Sequence, residues 1–269
     1  MIVAHAAWSA PPSVIVPAAV ALALFAQGWM RLRRRGRADL ADWKRAALFT
    51  AGVLVIVAGL VTPIHSYGEH DLLFVHMLQH VMIGDLGVAL MVVAVRGPLL
   101  VFLLPPAVLV PLAKSDLRKL LSFLLRPPVA FTLWAANLAI WHIPRLYIDA
   151  LIHPQLHDLE HVTWILTGLL VWTLLVDPGA HHRLTVASRV ALAIAMFACG
   201  LVLADVLIFS FHPLYAAYRG AFGISAYTDQ QLAGVVMMVE QLLTLGTCVA
   251  LLLRPRWSRS RRARLAAAT

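Results

Sequence analysis

His76 and His80 form one i, i+4 pair, and His157 and His161 form another. On a helix this spacing stacks two imidazoles one turn apart on one face. Both pairs fall near the ends of apolar stretches. An ionisable side chain in a lipid-embedded helix is a candidate for function by default. Imidazoles ligate Cu, Zn, Fe and Ni, and an added thioether favours Cu(I). Two pairs on two helices also suit bis-histidine ligation of haem. The plain alternative is that the rings are hydrogen-bonded packing residues.

The neighbouring residues extend the pattern. Trp141-His142-Ile143-Pro144 places His142 at the same predicted depth as the pairs. Glu160 precedes His161 and either complements the helix dipole or orients an imidazole. Asp229 either caps its own helix or acts as a second orienting carboxylate. Gln230, Gly234, Met237 and Gln241 share one helical stripe, with Asp229 and Glu240 on the next. Met237 is either an apolar filler or a soft thioether close to a metal. A zinc protease needs His-Glu-x-x-His, which neither pair provides. No nucleophile motif and no glycine-rich phosphate loop is present, so no catalytic residue is assigned.

These residues must be positioned by membrane helices. Hydrophobic residues make up 61% of the 269 and charged residues 13%. The mean hydropathy is +0.82. Such a composition belongs to an integral membrane protein rather than a soluble domain. Seven spans are expected: Val14–Met30, Ala46–Thr62, Leu72–Val95, Val129–Tyr147, Leu159–Val176, Val190–Phe211 and Gln231–Leu253. The segment from Leu99 to Leu112 is apolar, but it is short and broken by Pro105, Pro106 and Pro111, so it reads as re-entrant or interfacial. Seven spans place all but Arg145 and Arg219 of the 22 basic residues on one side. That bias marks the cytoplasmic face, giving an outside N-terminus and an inside C-terminus. The formal charge of +9 therefore reports orientation, not nucleic-acid binding.

With the spans so drawn, every histidine except His181 and His182 lies near the outer face. Asp85 and Asp205 fall inside spans and are expected to be buried, with Asn137 or backbone as partners. Gly84 and Gly87 continue the face of His76 and His80 and invite close approach by another helix. Cys199 and Cys248 lie in different apolar segments and form no metal or redox motif. No Lys or Arg precedes Arg31, so the first apolar run reads as a retained helix rather than a cleaved signal. The expected organisation is all-α: a single polytopic helical bundle over residues 1–253, followed by a basic cytoplasmic tail, 254–269, expected to be disordered.

Four segments together resemble the CtaG family of cytochrome c oxidase assembly factors. They are His76-Met-Leu-Gln-His80, Trp141-His142-x-Pro144, His157-x-Leu-Glu160-His161 and Asp229-Gln-Gln-Leu-Ala-Gly234. The likeness spans roughly residues 45–250, in the family's order. It implies a multi-pass protein of the bacterial plasma membrane, with no enzymatic activity, that helps assemble a haem–copper oxidase. Its implied partners are oxidase subunits and the lipid bilayer, and its implied cargo is copper. On that reading His76, His80, His142, His157 and His161 hold the metal, with Glu160, Asp229 and Met237 around them. A haem-binding redox protein, a copper transporter and a metal-free scaffold are the competing readings.

Overall fold

The computed structural model describes residues 8–179 and 184–266, with side chains as far as residue 254. His5, His181, His182 and Arg183 lie outside the described residues, as do the basic side chains beyond Arg254. Among the described residues the protein is helical, apart from one antiparallel bridge between Ala221 and Ile224.

The helices begin where local chemistry starts them. Helix α1 (Pro12–Arg34) opens with proline in its first turn, where the missing N–H costs nothing. Asp42 caps α2 (Trp43–Val61), its Oδ1 accepting from the Arg45 N–H at 2.8 Å. Thr62 caps the short α3 (Pro63–His70). Next comes a rod of three parts: α4 (Leu73–Val81), a π-helical turn (Met82–Leu86) and α5 (Gly87–Ala94). Three short helices follow: α6 (Pro98–Phe102), α7 (Pro106–Lys114) and α8 (Asp116–Leu124). The segment 99–112 is thus folded into short pieces and does not span. The remaining helices are α9 (Pro127–Trp141), α10 (Pro144–Ile152), α11 (Pro154–Val176), α12 (Val186–Phe209) and α13 (Ala226–Ala266). Helix α13 thus extends past Leu253, where the last span was expected to end.

Among the described residues, six elements are long and apolar enough to cross a bilayer: α1, α2, the α4–α5 rod, α11, α12 and α13. The count becomes seven if α8 and α9, bent by 73° at their junction, form one broken span. The expected fourth span, Val129 to Tyr147, is therefore not one helix. Its helix stops at Trp141, and Pro144 starts a separate one. Pro144 has no N–H to continue the ladder and pushes Ile143 into extended backbone, φ −65° and ψ 118°.

Helix α11 forms the central post. Trp164, Val171, Trp172 and Leu175 are buried in one core with Trp134 and Leu138 of α9, Met196 of α12 and Leu245 of α13. A smaller core joins α1, α2 and α6, with Phe25 stacked on Phe49 at 4.2 Å. The expected close approach along the rod is real, but it involves two helices, not one. Gly84 faces α11, where a Cβ on Gly168 would collide with its carbonyl oxygen; Gly87 faces α2, where a Cβ on Gly52 would lie 2.6 Å from its carbonyl oxygen. The π turn between the imidazole pair and these glycines alters the phase of the rod. Leu166, Ile194, Val202, Phe209, Leu242 and Leu243 point outward, as lipid-facing positions do.

Candidate metal centre

Helices α4 and α11 bring the two histidine pairs face to face. His76, His80, His157 and His161 are all buried. One ligating nitrogen from each lies within 4.8 Å of all the others. The Nε2 atoms of His76 and His80 are 2.9 Å apart. Ring centroids are 5.3 Å apart for His76 and His157, and 5.6 Å for His80 and His161. Ligand nitrogens ~2.0–2.1 Å from a common ion would be separated by roughly 3.4 Å if tetrahedral. The buried Nε2 atoms of His157 and His161 have no hydrogen-bond partner. Buried orphans of this kind suit an ion that supplies the missing bond.

The surrounding groups decide which nitrogen each ring offers. The Tyr218 hydroxyl donates to the Gly68 carbonyl at 2.7 Å. Its proton is thereby used, so at 3.0 Å it accepts from His76 Nδ1 and from the Tyr147 hydroxyl. His76 then carries its proton on Nδ1 and turns a lone pair on Nε2 toward the cluster. Burial raises the Tyr218 pKa well above its ordinary value of 10.0, so the hydroxyl stays a donor. Glu69, on α3, lies 3.4 Å from His157 Nδ1 and fixes that ring in the same sense. Burial pushes the Glu69 carboxyl up, but the His157 hydrogen bond and the nearby imidazoles outweigh it. Its pKa ends below the ordinary 4.5. Glu160 Oε1 lies 3.5 Å from His80 Nε2.

His65, also on α3, stacks 5.7 Å from His157. Its Nδ1 accepts from Gln79 Nε2 at 2.9 Å. Burial holds its pKa below 6.5, although Glu69 pulls the other way. An opening lined by Ser9, Pro11, His65, Asp158 and His161 leads from the surface toward the cluster.

His142 does not join the four. Its Nδ1 donates to the Leu138 carbonyl at 2.8 Å, and its ring lies edge-on to Trp164 at 6.1 Å. Trp164 is also 5.5 Å from His80. His142, His80, Met77, Met237 and Glu240 instead line a separate chamber of about 40 Å³. Asp229 does not cap its own helix; Ser225 accepts from the Thr228 N–H there. Asp229 accepts from the backbone N–H of Leu73 at 2.8 Å and of Phe74 at 2.9 Å. It thereby caps α4, whose own cap position holds only Leu72. The stripe of Gln230, Gly234, Met237 and Gln241 is buried.

Two carboxylates depart from expectation. Asp85 accepts from the Trp172 indole at 2.7 Å, not from Asn137, which serves Trp141. Asp205 is not buried but lies on the outward face of α12. The groups that sequence reading left without a role are Glu69, Tyr147, Tyr218 and His65. Glu69 and His65 had one visible signal, their nearness in sequence to His76. Tyr218 had none, because it reaches the cluster from the connection between α12 and α13.

Neither a curated protein nor a solved structure matches the chain. A family profile does, over residues 23–260, and its description is cytochrome c oxidase caa3 assembly factor. The matched region contains both imidazole pairs, the Trp-His-x-Pro break and the Asp229 segment. A family of assembly factors is not one of enzymes. With the match running through nearly every helix that builds the cluster, the chain belongs to the Caa3_CtaG family of cytochrome c oxidase caa3 assembly factors.

Proposed function

We propose that this protein holds copper at the outer side of a bacterial plasma membrane and passes it to a subunit of a haem–copper oxidase. The observation that carries the reading is the convergence of four buried imidazoles whose ligating nitrogens lie within 4.8 Å of one another. Imidazole is a good ligand for copper in either oxidation state. His76, His80, His157 and His161 are the ligands in this reading. Glu69 and Tyr218 orient two of them, and Glu160 supplies a carboxylate beside His80. Asp229 acts at one remove, by fixing the start of the helix that bears His76.

The distribution of basic residues supports an outside N-terminus and an inside C-terminus. The cluster then lies toward the outer face. Its opening, beside His65 and Asp158, gives an ion a polar route from that side. Ring packing favours a bare ion over haem. Centroids only 4.2 to 5.6 Å apart within and between the pairs leave no slot for a macrocycle.

Copper binding to the purified protein tests the reading. Wild type is expected to retain copper through desalting, and His76→Ala and His161→Ala are expected to lose it. Cells carrying either variant should assemble an oxidase deficient in copper. Unchanged metal content in both variants would refute the ligand set. Normal oxidase in cells with metal-free variants would favour a scaffold instead. A Soret band that shifts in His80→Ala would favour haem.

A further inference from the structure

Beneath the four imidazoles, the 40 Å³ chamber gathers donors of a different kind. Met77 comes from α4, Met237 from α13, and His142 from the break after α9. All three are buried, at 1%, 4% and 8% exposure. Because His142 Nδ1 donates to Leu138, its Nε2 carries a lone pair, and that buried atom has no partner. His80 lines the same chamber, and its Nδ1 is likewise buried without a partner. Two orphaned imidazole nitrogens at one cavity call for a reason. The space exceeds what a single water needs and is far below an organic ligand's volume.

We infer that this chamber is a second, inner holding position for copper(I), with the sulfurs of Met77 and Met237 and Nε2 of His142 as donors and the His80 ring as the wall shared with the outer cluster. Thioethers are soft and select copper(I) over zinc or copper(II). A cation held only by neutral donors at membrane depth needs a nearby counter-charge. Asp85 and Glu240 line the same chamber, and either can supply it by giving up its proton as the cation enters. This also gives a role to two intramembrane carboxyl groups that the outer cluster leaves unused. Movement between the positions exchanges imidazole donors for thioether donors, with no electron transferred and no covalent bond broken.

The inference rests on the copper-holding reading above, and one experiment separates the two. The full chain, with Cys199→Ser and Cys248→Ser to remove competing thiols, is titrated anaerobically with copper(I) against a chromophoric chelator. X-ray absorption then reports the donor atoms. Two copper(I) ions per chain are expected, with sulfur among the donors. Met77→Leu with Met237→Leu should remove one ion and the sulfur signal. His76→Ala with His161→Ala should remove the other ion and keep the sulfur. His142→Gln provides a second test of the inner position that leaves the methionine packing intact, and it should also cost one ion. A single ion with an all-nitrogen shell, unchanged by the methionine or His142 substitutions, would overturn the inner position and leave the outer cluster standing. No copper(I) bound at all would overturn both.

Discussion

Two hydroxyls and a carboxylate govern what the imidazoles can do. Tyr147 and Tyr218 form a short chain ending on Gly68, and the direction of that chain leaves a lone pair on His76 Nε2. Glu69 does the same for His157. Outer partners of this kind typically change metal affinity by about 10–100-fold when removed. Tyr218→Phe keeps the ring and deletes the acceptor. It is expected to weaken copper binding by a factor in that range while the protein remains folded, as checked by a chelator competition and a melting curve. Affinity equal to wild type would show that the hydroxyl has no orienting role. The pairs themselves were legible because i, i+4 spacing is local. The orienting groups were not, because Glu69 and Tyr218 reach His157 and His76 across separations of 88 and 142 residues. Distance in the chain hides such contacts from any reading of one sequence.

At the scale of elements, one helix finishes another. The α4 N-terminus has no capping side chain of its own, and Asp229 of α13 satisfies two of its N–H groups from outside. Loss of a cap costs about 0.5–2 kcal/mol. Asp229→Ala is therefore expected to lower the melting temperature and to loosen copper binding together, since the freed turn leads directly to His76. Asp229→Asn retains an acceptor and should recover part of both. A melting temperature lowered with unchanged metal affinity would mean that the cap stabilises the bundle but does not position the cluster. Sequence left Asp229 as either a cap on its own helix or an orienting carboxylate; only the fold shows that it caps α4. Five of the expected spans match crossing elements to within five residues at each end, but the fourth is broken and α13 runs on past the end of the last. The stop before Pro144 was visible in the proline but was passed over because the apolar run continued. The π turn left no mark, since an extra residue in a helix alters its phase and not its composition.

For the whole molecule, basic residues make the strongest prediction. Topology reporters fused near Arg145 and Arg219 should report the outside, and one fused after Arg254 should report the inside. A reporter after Arg254 reading outside would reverse the orientation and put the imidazole cluster on the wrong side for loading from without. The architecture as an all-α membrane bundle was legible from apolar run lengths, whereas the bent junction of α8 and α9 was passed over, although Arg126, Pro127 and Pro128 mark it. The wide turn at Met82–Leu86 makes the site depend on how the rod is wound as well as on chemistry. Winding the same residues as regular helix, without the wide turn, would swing its two halves by about 100° relative to each other. Every ligand would still be present and the segment would still insert into lipid. The imidazoles and the glycine seam could no longer both meet their neighbours, so a variant with no ligand altered would be unable to gather its metal.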